Sequence, residues 1–240
     1  MTRLPITLLA VALVAPGIQA ADLELGTELT AAEFADLTDA LADAVAFPNA
    51  GPAEPVGVVG LEIVGMGGGP SVDSDSSWWR HSIQGGTTAD VMQSKRLLAR
   101  KGLPRGFDLG VQGGEVAGER FYGGELRVAL LKGGTITPAL GVRVSYSRFQ
   151  GAPVDLEVGE AQLAISKGFL MVTPYAAAGY RLARSSATIE SPTPVRLEAD
   201  RDGATAAVGV RITPFPFLHV LAEARKAANV SYFVALGVGF

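Results

Sequence analysis

The chain closes on eleven residues, VSYFVALGVGF, that alternate strictly and finish on an aromatic side chain. Val230, Tyr232, Val234, Leu236, Val238 and Phe240 fall on one face, and Ser231, Phe233, Ala235, Gly237 and Gly239 on the other. Successive side chains of a strand point to opposite faces, so one wholly apolar face backed by mostly small residues suits a wall with lipid outside and a crowded interior. A strand of a soluble sandwich also alternates, but it usually turns polar residues outward. The pattern predicts an all-β, antiparallel up-and-down transmembrane barrel, with Tyr232, Val234, Leu236, Val238 and Phe240 on the lipid side of its last strand.

The amino terminus points to the same compartment. Arg3 supplies a positive charge, residues 4–14 form a short apolar run, and Ile18-Gln19-Ala20 makes a small-residue cleavage site, so residues 1–20 are expected to be a secretory signal. That run is too short to cross a bilayer as a helix, which takes roughly 20 residues. The expected location is the outer membrane of a Gram-negative cell. There the chain would be a monomer with membrane lipid and the barrel-assembly machinery as its partners. No cysteine is present, so backbone pairing and packing must hold the fold without disulfides. A formal net charge of −4 and the lack of a basic tract argue against nucleic acid as a partner.

Residues 21–54 read differently from the rest. Thr30-Ala31-Ala32-Glu33 is a capping box, Leu29 and Phe34 can staple it, and Phe34, Leu37, Leu41 and Val45 recur at helical spacing. Pro48 ends this short amphipathic helix, and residues 49–55 form a Pro/Gly linker. A helix lying on a membrane surface would carry Lys or Arg on its polar face; this one carries Glu33, Asp36, Asp39 and Asp43. It is expected on the periplasmic side or in the barrel mouth.

The barrel is expected over residues 55–240. Eight strands stand out, at 106–116, 121–131, 135–149, 154–166, 169–185, 195–213, 217–227 and 230–240, with tight turns at Lys132-Gly133-Gly134, Lys167-Gly168 and Pro214-Phe215-Pro216 and a longer polar loop at 186–194. If Phe240 ends on the periplasmic side, the tight turns lie there and the loop outside. Residues 56–66 add a ninth strand, and 77–84 as its partner gives an even count of ten, with 67–76 an outer loop and 90–101 a short periplasmic helix. The alternative is eight strands, with everything before Lys101 outside the barrel or plugging it.

Alternation places a polar network on the inner face: Asp108, Gln112, Glu125, Arg127, Arg143, Tyr175, Arg181, Arg211, His219, Glu223 and Arg225. Glu62, Asp155 and Glu157 join it, the last two by way of a bulge near Gly159-Glu160 that brings both halves of that strand to one face. Both signs are present, which favours a salt-bridged lumen in a structural barrel over a porin-like, narrow passive channel, because side chains can fill a small barrel. The alternative is a lipid-modifying enzyme with His219 as a base oriented by Glu223, although no serine beside it can be named. His81, after Trp78-Trp79-Arg80, reads as part of an interfacial anchor. No cofactor, metal site or other catalytic residue is expected: Asp73-Ser74-Asp75 lacks the glycine and glutamate of a calcium loop, and Gly67-Gly68-Gly69 lacks the lysine of a phosphate loop.

As a set, Lys101-Gly102-Leu103-Pro104 with Phe107-Asp108-Leu109-Gly110, Gly124-Glu125-Leu126-Arg127, Thr137-Pro138-Ala139-Leu140 with Arg143, Ser166-Lys167-Gly168-Phe169 and Thr173-Pro174-Tyr175 resemble a proteobacterial family of outer-membrane barrel proteins of uncharacterised function. The resemblance spans most of residues 55–240. It implies a Gram-negative outer-membrane barrel and supplies no substrate or catalytic residue.

Overall fold

Alternation this regular forces each strand to show one face inward and one outward, and pairing satisfies its main chain only if the sheet has no open edge. A computed structural model describes residues 22–84, 90–134, 136–151, 154–189 and 194–239; the expected signal (1–20) and Phe240 lie outside the described residues. Ten strands form one closed antiparallel barrel. They are β1 (Leu61–Pro70), β2 (Ser94–Gly102), β3 (Phe107–Val116), β4 (Glu119–Lys132), β5 (Ala139–Gly151), β6 (Val154–Ser166), β7 (Val172–Ile189), β8 (Val195–Phe215), β9 (Leu218–Lys226) and β10 (Val230–Gly239). Each strand pairs with the next, and β10 closes on β1 from Ser231 opposite Pro70 to Gly239 opposite Glu62. The end of the barrel that holds Gly239 is called the closing end below, and the opposite end the far end.

The count of ten holds, but the second strand is not 77–84. Those residues form the helix α2 (Ser77–Ser82), followed by Ile83–Gln84, which pairs with Asp22–Leu23. The partner of β1 is β2, in the stretch expected to be a helix. Long basic side chains on both faces of β2 hide its alternation: Arg96 and Arg100 flank Leu98 on the inside, while Lys95 and Lys101 point out. Residues 186–189 likewise continue β7, so the first part of the expected loop is strand, while 190–193 lie outside the described residues. In β6 neither register slips, so the expected bulge at Gly159-Glu160 is absent. Asp155 and Glu157 point outward beside Arg148, whereas Val154, Leu156 and Val158 point inward. The apolar run changes face because this strand leaves an apolar exterior where its interior neighbour becomes apolar.

Outside, the wall carries an uncharged band of side chains such as Leu97, Leu109, Val111, Leu126, Val144, Leu163, Val208, Val220 and Val234. Tyr122, Tyr146 and Tyr180 stand at nearly one height across β4, β5 and β7 by register, and Phe107, Phe215 and Phe217 are exposed at the closing end. From Val172 to Tyr180 along β7 the band is about 20 Å tall at a strand tilt of about 40°. Beyond the tyrosines the surface turns charged, with Arg148, Asp155, Glu157, Arg184 and Asp200.

The interior neighbour is the helix α1 (Ala31–Val45), which lies inside the far half of the barrel. Its capping box is formed: the Thr30 N–H donates to Glu33 at 2.9 Å and the Glu33 N–H to the Thr30 hydroxyl at 3.3 Å. Phe34, Leu37, Leu41 and Val45 are fully buried against Phe121, Phe149, Leu156, Val158 and Leu197 of the wall. Of the two expected places, α1 takes the barrel mouth.

Leu37→Ala should cost about 2–5 kcal/mol of helix docking, read as faster hydrogen exchange across residues 34–45 with the barrel amides unchanged. The Ser77 hydroxyl and the Thr30 N–H hold the Glu33 carboxyl at about 2, below its ordinary value of 4.5. A carboxyl lowered by folding stabilises the cap fully above its unfolded value and loses that contribution as pH falls through the folded one. Fraying of the first turn of α1 should therefore set in between about pH 4.5 and pH 2, and Glu33→Gln should abolish that pH dependence.

Candidate functional site

From Val45 the chain leaves the helix and runs extended through the lumen toward the closing end, where β1 begins. A main chain in that position has no strand to pair with and little water, so its carbonyls need donors from the wall. The wall supplies them almost residue by residue. The carbonyls of Ala44 and Ala46 accept from Arg96, Val45 from Gln112, Phe47 from Arg225, Pro48 from Arg143, Asn49 and Ala50 from Arg100, and Pro52 from Arg127; eight of the nine in 44–52 are thus engaged. Arg96 and Gln112 also meet the negative end of α1, where cations and donors are favoured.

Carboxylates take the main-chain N–H groups. Asn49 and Ala50 donate to Glu223 at 3.2 and 3.1 Å, and Val56 donates to Asp108 at 3.1 Å. Tyr175 donates to the same Glu223 at 2.8 Å, and Gly209 leaves room for its ring, since a Cβ there would lie 2.2 Å from it. Ala50 adopts φ 48°, a left-handed conformation unfavourable for a residue with a Cβ, and both its main-chain groups are tied to the wall.

The wall charges pair with one another as well. Glu62 meets Arg100 at 2.6 Å and also Arg211; Glu125 meets Arg100 at 2.7 Å and Arg143 at 3.7 Å; Glu160 meets Arg143 at 3.2 Å and Arg225 at 2.6 Å. The helix enters this network through Asp39 and Asp43, one turn apart, which pair with Arg181; Asp39 also holds Arg201. Among the described residues, seven arginines line the lumen (Arg96, Arg100, Arg127, Arg143, Arg181, Arg211 and Arg225) against five wall carboxylates (Glu62, Asp108, Glu125, Glu160 and Glu223). Within the lumen the wall therefore has two positive charges in excess, offset by Asp39 and Asp43, the first of which is shared with the half-exposed Arg201 at the mouth.

All eleven residues expected in the polar network face the lumen. The one pair suggested for catalysis does not form. His219 contacts Arg211 through Nδ1 at 2.9 Å and Glu62 through Nε2 at 3.3 Å, while Glu223 is held by Tyr175 and the threaded main chain. Gly237 gives the His219 ring its place, since a Cβ there would lie 2.1 Å from Nε2. His81 sits at the far end beside Glu28 and Glu33, in the helical cap and not in an anchor on the barrel's outer face. Arg96, Arg100, Glu160 and Gln162 complete the lumen and were missed: the first two lie in the misread β2, and the other two lie beyond the expected bulge. Asp39 and Asp43, noted in the sequence only as part of an acidic helix face, are spaced one turn apart and so can pair with one cation, Arg181.

No family model and no curated protein matches this chain, so the resemblance to a proteobacterial family remains a resemblance. Several solved structures show a general likeness. The N-terminal β-barrel domain of OprF from Pseudomonas aeruginosa is 15% identical over 77% of this chain and 98% of that one, with a TM-score of 0.36. Ail, the attachment invasion locus protein of Yersinia pestis, is 8% identical over 75% and 97%, with a TM-score of 0.37. The KdgM porin is 9% identical over 76% and 99%, with a TM-score of 0.39. At such TM-scores these likenesses add nothing to the chain's own geometry.

Glu160→Gln removes the partner of both Arg143 and Arg225 and should cost about 3–5 kcal/mol in a denaturant titration of the folded barrel in lipid. Glu157→Gln, three residues away on the outer surface, should stay within about 0.5 kcal/mol.

Proposed function

We propose that this chain is an outer-membrane β-barrel protein that is closed at rest by its own N-terminal segment. It serves as a structural, lipid-embedded barrel and not as a standing pore. The uncharged band and the aromatic rows at its two edges support the membrane placement, since lipid-facing charges cost about 2–4 kcal/mol at mid-bilayer. Surrounding lipid and the barrel-assembly machinery are the partners this reading needs, and the unit is the single chain. With the closing end on the periplasmic side, α1, α2 and the long β7–β8 hairpin lie at the cell exterior.

The observation that carries the closed state is the course of residues 44–52, whose carbonyls are held by arginines on several different strands. No single side-chain movement frees that segment. The residual space supports the same reading: a cavity of about 360 Å³ at the closing end, lined by Glu54, Arg127, Arg211, Thr213 and His219, ends at the threaded chain. The wild-type protein reconstituted in planar bilayers should show no sustained conductance steps at low applied voltage. Steady open-pore steps under those conditions would overturn the closed-barrel reading.

A further inference from the structure

The wall offers more hydrogen-bond donors than the threaded chain uses. Main-chain carbonyls are neutral acceptors, and guanidinium groups bind carboxylates and phosphates more strongly, through paired, charge-assisted bonds. Arg96, Arg143, Arg181, Arg211 and Arg225 each keep an Nε–H that is buried and meets no acceptor among the described residues. The lumen also carries two more arginines than carboxylates once the helix aspartates are set aside. These arginines are not confined to one level. Arg181 and Arg96 lie beside α1, Arg225 and Arg143 beside Phe47 and Pro48, Arg100 beside Asn49, and Arg127 and Arg211 at the cavity of the closing end.

We propose that the lumen is an anion pathway. With α1 and the segment after it displaced, it would pass or hold small oxyanions, carboxylates and phosphates, in preference to cations. The proposal rests on the closed-barrel reading and adds a class of solute to it. The far half of the bore houses a helix, whose width with side chains is about 10 Å, so displacement leaves room for small hydrated ions there. Below it, the positions now filled by carbonyl oxygens become sites where an oxyanion meets Arg96, Arg143, Arg100 and Arg127 in succession. Side-chain charges lining a pore select for ions of opposite sign, and binding at several weak sites still allows release. Glu62, Glu125 and Glu160 hold the guanidinium groups in place without neutralising the excess.

The test uses the full chain with Leu37→Asp and Leu41→Asp together, which place two charges in the apolar cluster that seats α1. Heat-modifiable gel migration shows that the barrel has formed. In planar bilayers under a potassium chloride gradient, the variant should open steps absent from wild type, with a reversal potential displaced toward that of chloride and a several-fold anion preference. Adding Arg127→Gln and Arg143→Gln in that background should reduce the preference. If the first variant lacks the heat shift, Asp39→Asn with Asp43→Asn, which unties the helix from Arg181, is judged by the same criteria. A folded variant whose amides exchange freely across residues 34–51, so that helix and threaded segment are both released, and that shows no steps, or equal or cation-favouring permeability, overturns the anion pathway and leaves the closed barrel standing. Protection retained at 46–51 overturns the coupling of the segment to α1 on which the opening depends. Steps of the same size in wild type overturn the closed barrel itself.

Discussion

The polar interior of this molecule follows from one requirement: a length of main chain that is neither helix nor strand lies inside a barrel, where its polar groups must find partners. Arginine answers that need well, because its planar fork reaches across the bore and can serve a carbonyl and a carboxylate at once. Arg100 does both, binding Asn49 and Ala50 on one side and Glu62 and Glu125 on the other. The carboxylates have a double role of the same kind: Glu223 takes two N–H groups of the segment and the Tyr175 hydroxyl. Buried ion pairs contribute little net stability on average, and their geometry here fixes which segment fits and in what register.

The lumen is divided along its axis by chemistry. In the far half α1 presents Phe34, Leu37 and Leu41 to Phe149, Leu156 and Leu197, and the contact is apolar. In the closing half the wall is ionic and its guest is main chain. The division shows in single strands: β6 faces inward with Val154, Leu156 and Val158, then with Glu160 and Gln162. Its outer face changes in the opposite sense, from Asp155 and Glu157 to Leu163 and Ile165. An apolar exterior and an ionic interior share one stretch of wall, and a charged exterior and an apolar interior share the other.

Much of this was legible in the sequence where strand alternation is clean. The closing strand fixed parity, and that parity carried Glu125, Arg143, Arg181 and Glu223 to the inside. It failed where a second structure competes for the inner face. In β6 the apolar residues that greet α1 mimic a lipid-facing row, so a bulge was inferred that the registers do not contain. In β2, Arg96 and Arg100 look like surface residues until the carbonyls of 44–50 are seen beside them. The acidic face of α1 lacks the Lys and Arg of a membrane-surface helix. What it is suited to, a cationic bore, depends on a tertiary contact about 140 residues away that no local pattern records.

The pairing of β1 with β10 has a consequence for assembly order. Residues 46–56 enter the bore from the far end and leave it at the closing end, so the chain passes through the ring that its own two terminal strands complete. A ring already sealed would have to admit a capped helix and draw a carboxylate-bearing tail past seven guanidinium groups. A ring still open along the β1–β10 seam can instead be laid around that tail. The register from Ser231 to Gly239 is the seam at which such a ring would close. Opening that one seam would therefore be the way to lay the ring around its guest without threading it.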